Sequence, residues 1–465
     1  MKKKIYVLLF ILTFFFSILF MILYNGVYFE NKIYKSILEK YERTSEIVST
    51  LPPLLDEKNL TSIINEFQKT KSEKGLSEAL SAPILMLNKI ESKRLEKGYI
   101  LSNSKKLNFF KHSFKDSNKK FLGGESERPF GSINFIDGKI MFITGLGKIF
   151  ISNEVDQNYI KKSLDGLNFE LIKNNLDNFK IPSKWGYERN FVKDGLIDKN
   201  DLYLFITHKV VTNVTDHFTY KILKADLSKK NLIFKEFFFA RDDLRPEADL
   251  LHSAGRIINF DENNLLITSP DFGYPKLAQN KKSLFGKIIK INKITKNYKI
   301  FSSGHRNPQG LFLDKDNGIV LATEHGPDGG DEVNIIKEGK NYGWPIASYG
   351  TEGGEDMIKT SNHLKYGFAE PAFHFNFVNC GMSNLIKVPQ GLIDNNKNSY
   401  LLSCLSGGGL RYGKALYHLG LDLKKDKLVK LQKIFINDRI RDIKLLKDKL
   451  IVLVLEDSKS LGFIY

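Results

Sequence analysis

Cysteine is nearly absent: the 465 residues contain only Cys380 and Cys404. No Cys-x-x-Cys pair and no Cys/His spacing is present, so a structural zinc site is excluded. Cys404 sits in the apolar run "YLLSCL", where a buried thiol and, in an exported protein, a disulfide are both open readings. Also missing is a compact basic stripe with interleaved aromatics. The formal charge is +17, but the lysines are scattered, which argues against a nucleic-acid partner. Such a charge still favours an anionic ligand or an anionic membrane surface.

One stretch lacks charge altogether. After "MKKK", residues 5–24 read "IYVLLFILTFFFSILFMILY", long enough to cross a bilayer and longer than the core of an ordinary signal peptide. No small-x-small cleavage site follows it. The expectation is an uncleaved transmembrane helix within residues 1–30, with the lysines in the cytoplasm and the remainder exported to the periplasmic side. A long, cleaved signal peptide is the alternative.

What is present downstream falls into two textures. Residues 31–75 carry apolar residues at helical spacing, broken by the prolines at 52–53 and ended by glycine, so 31–110 is expected to be a helical juxtamembrane segment. From about 111 to 465 short apolar strands alternate with polar turns. A loose unit recurs from Ile133, Ile257, Gly310, Gly391 and Ile443, at separations of 124, 53, 81 and 52 residues. Periods of about 50 residues with several strands each describe propeller blades. The expected fold is therefore all-β, a six-bladed β-propeller preceded by the N-terminal helix and the short helical segment. A β-sandwich has no such period.

In a propeller, loops beside the inner strands converge on one end of a channel, so those loops are where chemistry is sought. "DKDNG" at Asp314–Gly318 has the wrong spacing for a calcium loop and His325 at its twelfth position, so it reads as a hairpin turn. "TEHGPDGGDE" combines Gly326, Gly329, Gly330 and Pro327 with Asp328, Asp331 and Glu332. Exposed backbone carbonyls plus carboxylates suit calcium, although such a loop can equally be a solvated turn. "GHRNPQG" sets Arg306, a rigid donor fork, beside Asn307. "NDRIRDI" places Arg439 and Arg441 on one face of a strand, where they repel unless an anion lies between them. His252 stands immediately before a repeat strand.

In these residues the chain resembles the soluble quinoprotein glucose/sorbosone dehydrogenases, and among them the bacterial aldose sugar dehydrogenases. "GHRNPQGL", "EHGPDGGDEVNII", "GKNYGWPIASYG", "HSAGR" and "RIRDI" fall in the family order over roughly residues 180–465. The resemblance implies a six-bladed propeller with pyrroloquinoline quinone (PQQ) and calcium at the channel mouth. It makes His252 the base for the anomeric hydroxyl of an aldose. Arg306 and Asn307 become ligands of the reactive quinone oxygen, with His325 beside the cofactor. Arg439 and Arg441 are implied to bind its carboxylates. Gly326 and Pro327 are implied calcium ligands through their carbonyls, and Glu332 a ligand of a structural calcium. Electrons would pass to a membrane-proximal acceptor.

The chain departs from the family pattern in three places. Leu251 stands where an acid precedes the histidine, and Ser406 where a lysine faces the cofactor. "FHFNFVNCGMS" replaces an aromatic segment, leaving Phe375 or Phe377 to form that wall. A calcium-dependent propeller lactonase and a non-catalytic sugar- or anion-binding propeller are the competing expectations.

Overall fold

The computed structural model describes residues 84–90, 98–102, 108–113, 131–155, 167–179, 191–211, 216–241, 243–246, 252–327, 329–350, 363–375, 379–405, 413–446 and 449–465. All of them belong to one compact unit, Lys74–Tyr465. The expected anchor and the helical stretch up to residue 75 lie outside the described residues.

Six four-stranded blades follow one another around a ring. Blade 1 comprises Gly131–Ile136, Lys139–Thr144, Ile149–Glu154 and Phe169–Ile172. Blade 2 comprises Val192–Asp198, Asp201–Val211, Asp216–Asp226 and Lys235–Phe239. Blade 3 is built from Ile257–Asn259, Asn264–Ser269, Lys287–Asn292 and Tyr298–Ser303. Blade 4 uses Pro308–Asp314, Ile319–Glu324, Glu332–Ile336 and Phe373–His374. Blade 5 uses Met382–Lys387, Ser399–Cys404, Ala415–Asp422 and Lys427–Phe435.

Blade 6 takes Ile440–Leu445, Ile451–Leu455 and Ser460–Ile464 from the C-terminal end of the sequence, and its outer strand, Asn108–Ser113, from far upstream. Ser460 pairs with Ser113 and Ile464 with Phe109, antiparallel. The ring is thereby closed with strands from both ends of the propeller. The first strand of each blade packs on the first strand of the next, and that of blade 6 on that of blade 1.

Blade packing explains the apolar runs. A strand between two neighbouring blades buries both faces, so it reads as continuous hydrophobe rather than alternation. In "IVLVL", Ile451, Leu453 and Leu455 join the core shared with blade 5, while Val452 and Val454 join the core shared with blade 1. In the same way Leu321 faces blade 5, and Val320 and Ala322 face blade 3. Among the described residues there are six such cores, one between each adjacent pair of blades.

The helical expectation for 31–110 does not hold where it meets the described residues. Ile84–Ile90, Gly98–Ser102 and Asn108–Ser113 are strands, so the propeller reaches back past residue 111. The helical spacing ends near residue 75. Further on, "NFFKHS" sends adjacent aromatics to opposite faces, with Phe109 in the core toward blade 5 and Phe110 packed on the core toward blade 1. Blade 2 is the one hidden in the 124-residue gap between repeats. Among the described residues no helix is long and apolar enough to cross a membrane.

Candidate active site

All inner strands begin at the same end of the ring, and each second strand runs back antiparallel to finish there, as Pro308 opposite Glu324 and Ile440 opposite Leu455 show. Segments entering an inner strand therefore meet turns leaving a second strand. His252 precedes the inner strand of blade 3, Arg306 and Asn307 that of blade 4, and Arg439 and Arg441 flank the first residue of blade 6. From the opposing turns come Asp271, His325 and Glu456.

His252 is held from two sides. Its Nδ1 lies 3.2 Å from Asp271 Oδ1, and Arg306 Nη2 lies 2.8 Å from its Nε2. The guanidinium can only donate, so Nε2 is the acceptor and the proton sits on Nδ1, directed at the carboxylate. Asp271 is itself fixed by Trp344 Nε1 at 2.8 Å and by the Gly273 amide at 2.9 Å. The imidazole is a neutral base with its accepting nitrogen toward Arg306, and its side chain keeps 19% exposure.

Arg306 is positioned as tightly. Its amide donates to Glu324 Oε2 at 2.8 Å, Nη1 donates to the Gly326 carbonyl at 2.9 Å, and the guanidinium carbon lies 5.3 Å from the Trp344 ring centre. Asn307 is buried and uses its Oδ1 to accept from the Ala254 amide at 3.1 Å, which ties the His252 segment to blade 4. The His325 amide donates to the Asn307 carbonyl, and His325 Nε2 donates to Met382 O at 2.6 Å. Burial draws the His325 pKa down to about 3; the bond to Met382 opposes this, while the charges of Arg441 and Arg306 and the neighbouring His252 reinforce it. These residues share one electrostatic neighbourhood.

The glycine loop folds tightly on itself. A Cβ on Gly326 would lie 2.3 Å from the Gly329 carbonyl oxygen, so no larger residue fits. Asp331 clasps the loop by accepting from the amides of Gly326 (3.1 Å), Gly381 (2.8 Å) and Met382 (3.3 Å). The Pro327 carbonyl accepts from Asn379 Nδ2 at 2.7 Å. Glu332 lies within the same cleft as Arg306, Gly326, Pro327 and Trp344. It accepts from Asn334 at 3.1 Å and sits 3.7 Å from His363; burial, then the nearby Glu324, push its pKa well up.

Calcium takes six or more oxygens. Here the Gly326 carbonyl is bound by a guanidinium, and a calcium ion on the same oxygen would be repelled by it. Asp331 is committed to amides, and among the described residues no three His, Cys, Asp or Glu side chains are arranged to hold a metal. As arranged, the loop does not fit calcium, and no step is derived through it.

Arg439 and Arg441 share one carboxylate: their Nε atoms donate to the two oxygens of Glu456, at 2.9 and 2.6 Å. Two guanidinium charges against one carboxylate leave a positive wall, and all three side chains are largely buried. Such a donor set fits an anionic, carboxylate-bearing cofactor. Beneath it Arg256 donates to Asp194, Asp442 and the Arg441 carbonyl, a structural knot spanning blades 2, 3 and 6.

The structure thus gathers His252, Arg306, Asn307, His325, Gly326, Arg439 and Arg441 at one end of the channel. Leu251, Asp328, Phe377 and Ser406 lie outside the described residues. Phe375 is no aromatic wall: it is fully buried against Phe373 and Tyr417 in the core between blades 4 and 5. Asp271, Glu324 and Glu456 escaped the sequence reading. Each follows or ends a second strand, a position mirrored by His325 that could have exposed them. Cys380 and Cys404 form a disulfide, with Cα atoms 5.4 Å apart.

A closed six-bladed ring with an oriented histidine and a buried arginine wall at one mouth defines a candidate propeller active site. The chain belongs to the glucose/sorbosone dehydrogenase family, whose model matches residues 197–462. It is 31% identical over 138 residues to the aldose sugar dehydrogenase YliI of Escherichia coli, covering 27% of this chain and 37% of that protein. To quinoprotein glucose dehydrogenase B of Acinetobacter calcoaceticus it is 30% identical over 152 residues, covering 24% of this chain and 32% of that protein. The chain thus spans well under half the length of these two relatives. The PQQ-bound aldose sugar dehydrogenase of Streptomyces coelicolor shares the fold, with a TM-score of 0.52 at 18% identity, covering 77% of this chain and 98% of that one.

Proposed function

We propose that this chain is a quinoprotein sugar dehydrogenase that oxidises the anomeric carbon of an aldose to the lactone. The observation that carries the reading is the His252–Arg306 contact at 2.8 Å, a neutral base and a fixed cation at one point. PQQ, when bound, supplies a quinone that accepts a hydride. Once the sugar hydroxyl displaces Arg306 Nη2 from it, His252 Nε2 would take the anomeric hydroxyl proton as the C–H bond is lost, and Asp271 would stabilise the imidazolium that results. Arg306 and Asn307 would stabilise the negative charge that develops on the acceptor, and Arg439 and Arg441 would hold the cofactor's carboxylates.

The sugar-binding cleft is on the exported side of a membrane in this reading, with residues 5–24 as its anchor and the electron acceptor close to the bilayer. The Cys380–Cys404 disulfide supports an oxidising compartment. Membrane association after alkaline washing, at full length, tests the anchor. Recovery of a soluble chain lacking its first 25–30 residues or so would show a cleaved signal.

The decisive experiment adds PQQ, with and without calcium, to purified full-length protein and follows the quinone spectrum on addition of aldoses. Aldose-dependent bleaching with lactone release is expected. Lactone hydrolysis by PQQ-free protein, without quinone reduction, would replace this reading by a lactonase.

A further inference from the structure

Two blades carry the same three-residue device at the channel mouth. In blade 6 the inner strand opens Ile440-Arg441-Asp442, and the pairing with its neighbour skips Arg441 between Ile440 and Asp442. In blade 2 the inner strand opens Val192-Lys193-Asp194, and the pairing skips Lys193 between Val192 and Asp194. Each is a β-bulge that re-aims one cationic side chain while the apolar residue before it stays in a blade core. Val192 and Ile440 are both core residues.

The residue after the bulge does the same work in both blades. Asp194 accepts from Arg256 Nη1 at 3.4 Å and from the Ile257 amide of the next blade at 3.1 Å. Asp442 accepts from the same Arg256 Nη1 at 3.0 Å and from the Ile133 amide of its next blade at 3.0 Å. Arg256 therefore joins two equivalent units, and the bulged cations of those units are Arg441 and Lys193.

Lys193 also touches the catalytic segment. Its Nζ donates to Ser253 Oγ at 2.5 Å, and Ser253 adjoins His252. The side chain is buried, and burial followed by the Arg441 charge pushes its pKa well below that of an ordinary lysine. A buried amine that feels a buried guanidinium gains from an anion shared between them.

We propose that Lys193 is a third cationic ligand of the carboxylate-bearing quinone cofactor, reaching the channel mouth from blade 2 as Arg441 does from blade 6. This rests on the quinoprotein reading. The role is binding: Lys193 takes no part in proton or hydride transfer.

The test is PQQ affinity, measured on the full-length protein by quenching of its intrinsic fluorescence, together with the thermal midpoint without cofactor. Lys193→Met should weaken PQQ binding about 10- to 100-fold, the size of a charged hydrogen bond, and Lys193→Arg should restore most of it. Ser253→Ala should leave affinity within a few-fold of wild type. If Lys193 only braces the His252 segment, Ser253→Ala will reproduce the Lys193→Met loss, and the assignment falls. Equal affinity in wild type and Lys193→Met also removes it, while leaving the quinoprotein reading intact. Should Lys193→Met fail to fold, Lys193→Gln carries the same comparison without the charge. Absence of PQQ binding in the wild type overturns the quinoprotein reading and this inference together.

Discussion

The His252 imidazole and the Arg306 guanidinium meet at 2.8 Å across 54 positions of sequence. That contact fixes which nitrogen accepts, because guanidinium has no lone pair to offer. In the proposed reaction it also sets the proton acceptor beside the cation that would stabilise the oxyanion, as proton removal coupled to hydride loss requires.

His252→Gln should keep the fold and PQQ affinity, since Gln fills a similar volume and can accept from Arg306. Turnover should fall by about two to four orders of magnitude, the usual contribution of a general base. Stopped-flow bleaching of the PQQ-loaded protein by aldose measures it. A loss under tenfold would remove His252 from the chemistry.

Asp271→Asn tests the tautomer. An amide can donate to Nδ1, which would shift the proton to Nε2 and leave no acceptor for the sugar hydroxyl. The rate should drop by about 10²-fold or more while PQQ affinity stays within a few-fold. Imidazole nitrogen shifts in the two proteins provide an independent readout: unchanged protonation would count against the argument.

Arg306→Ala should cost about 10²–10³ in turnover, as removal of one oxyanion donor does. The same substitution frees the Gly326 carbonyl, so calcium should bind the loop more tightly in the variant than in the wild type. Calorimetric titration with calcium distinguishes the two proteins. Equal affinity would mean that the guanidinium does not compete for that oxygen.

Much of this was legible because blade chemistry repeats. Hairpins such as "DKDNG" announce themselves through Asn-Gly, and Gly318 indeed takes a positive φ of 66°. Histidine and arginine before an inner strand were visible as exposed-loop chemistry out of keeping with a turn. Their partners were not: Asp271 and Glu456 lie in short turns whose acids look like ordinary solvated ones, and only the return of each second strand brings them inward. Lys193 was hidden for another reason. A bulge leaves no signature in composition, and blade 2 falls in the longest gap of the repeat. The strand at Asn108–Ser113 was missed because its pairing partner lies near the other end of the chain, where local pattern carries no information.

Replacing Cys380 and Cys404 by serine should lower the unfolding free energy by about 2–4 kcal/mol, given a 24-residue separation. The consequence should reach the site. Asn379 and Gly381, which flank Cys380, hold the Pro327 carbonyl and the Asp331 carboxylate. Hydrogen exchange of the Gly326 and Met382 amides should rise in the double variant. Exchange confined to blade 5 would show that the disulfide and the loop are independent.

The last prediction concerns the seam between blades 4 and 5. The Asp314 carboxylate accepts from Lys387 Nζ at 2.8 Å, Tyr400 OH at 2.7 Å and Asn317 Nδ2 at 2.7 Å. Burial alone would raise its pKa, but these donors outweigh burial and hold it below the ordinary aspartate value. A carboxyl with a depressed folded pKa binds fewer protons than its unfolded counterpart. Its contribution to stability is therefore present above the unfolded value of about 3.9 and is lost as the pH falls through the folded one. Asp314→Asn should cost about 1–3 kcal/mol at pH 7, since Lys387 and Tyr400 lose a charged acceptor in a buried seam. Below pH 4 the gap between variant and wild type should narrow, because the wild type is then losing the same interaction. Denaturant melts at pH 7, 5 and 3.5 measure this. A gap that stays constant across the three would show that Asp314 acts through packing and not through its charge.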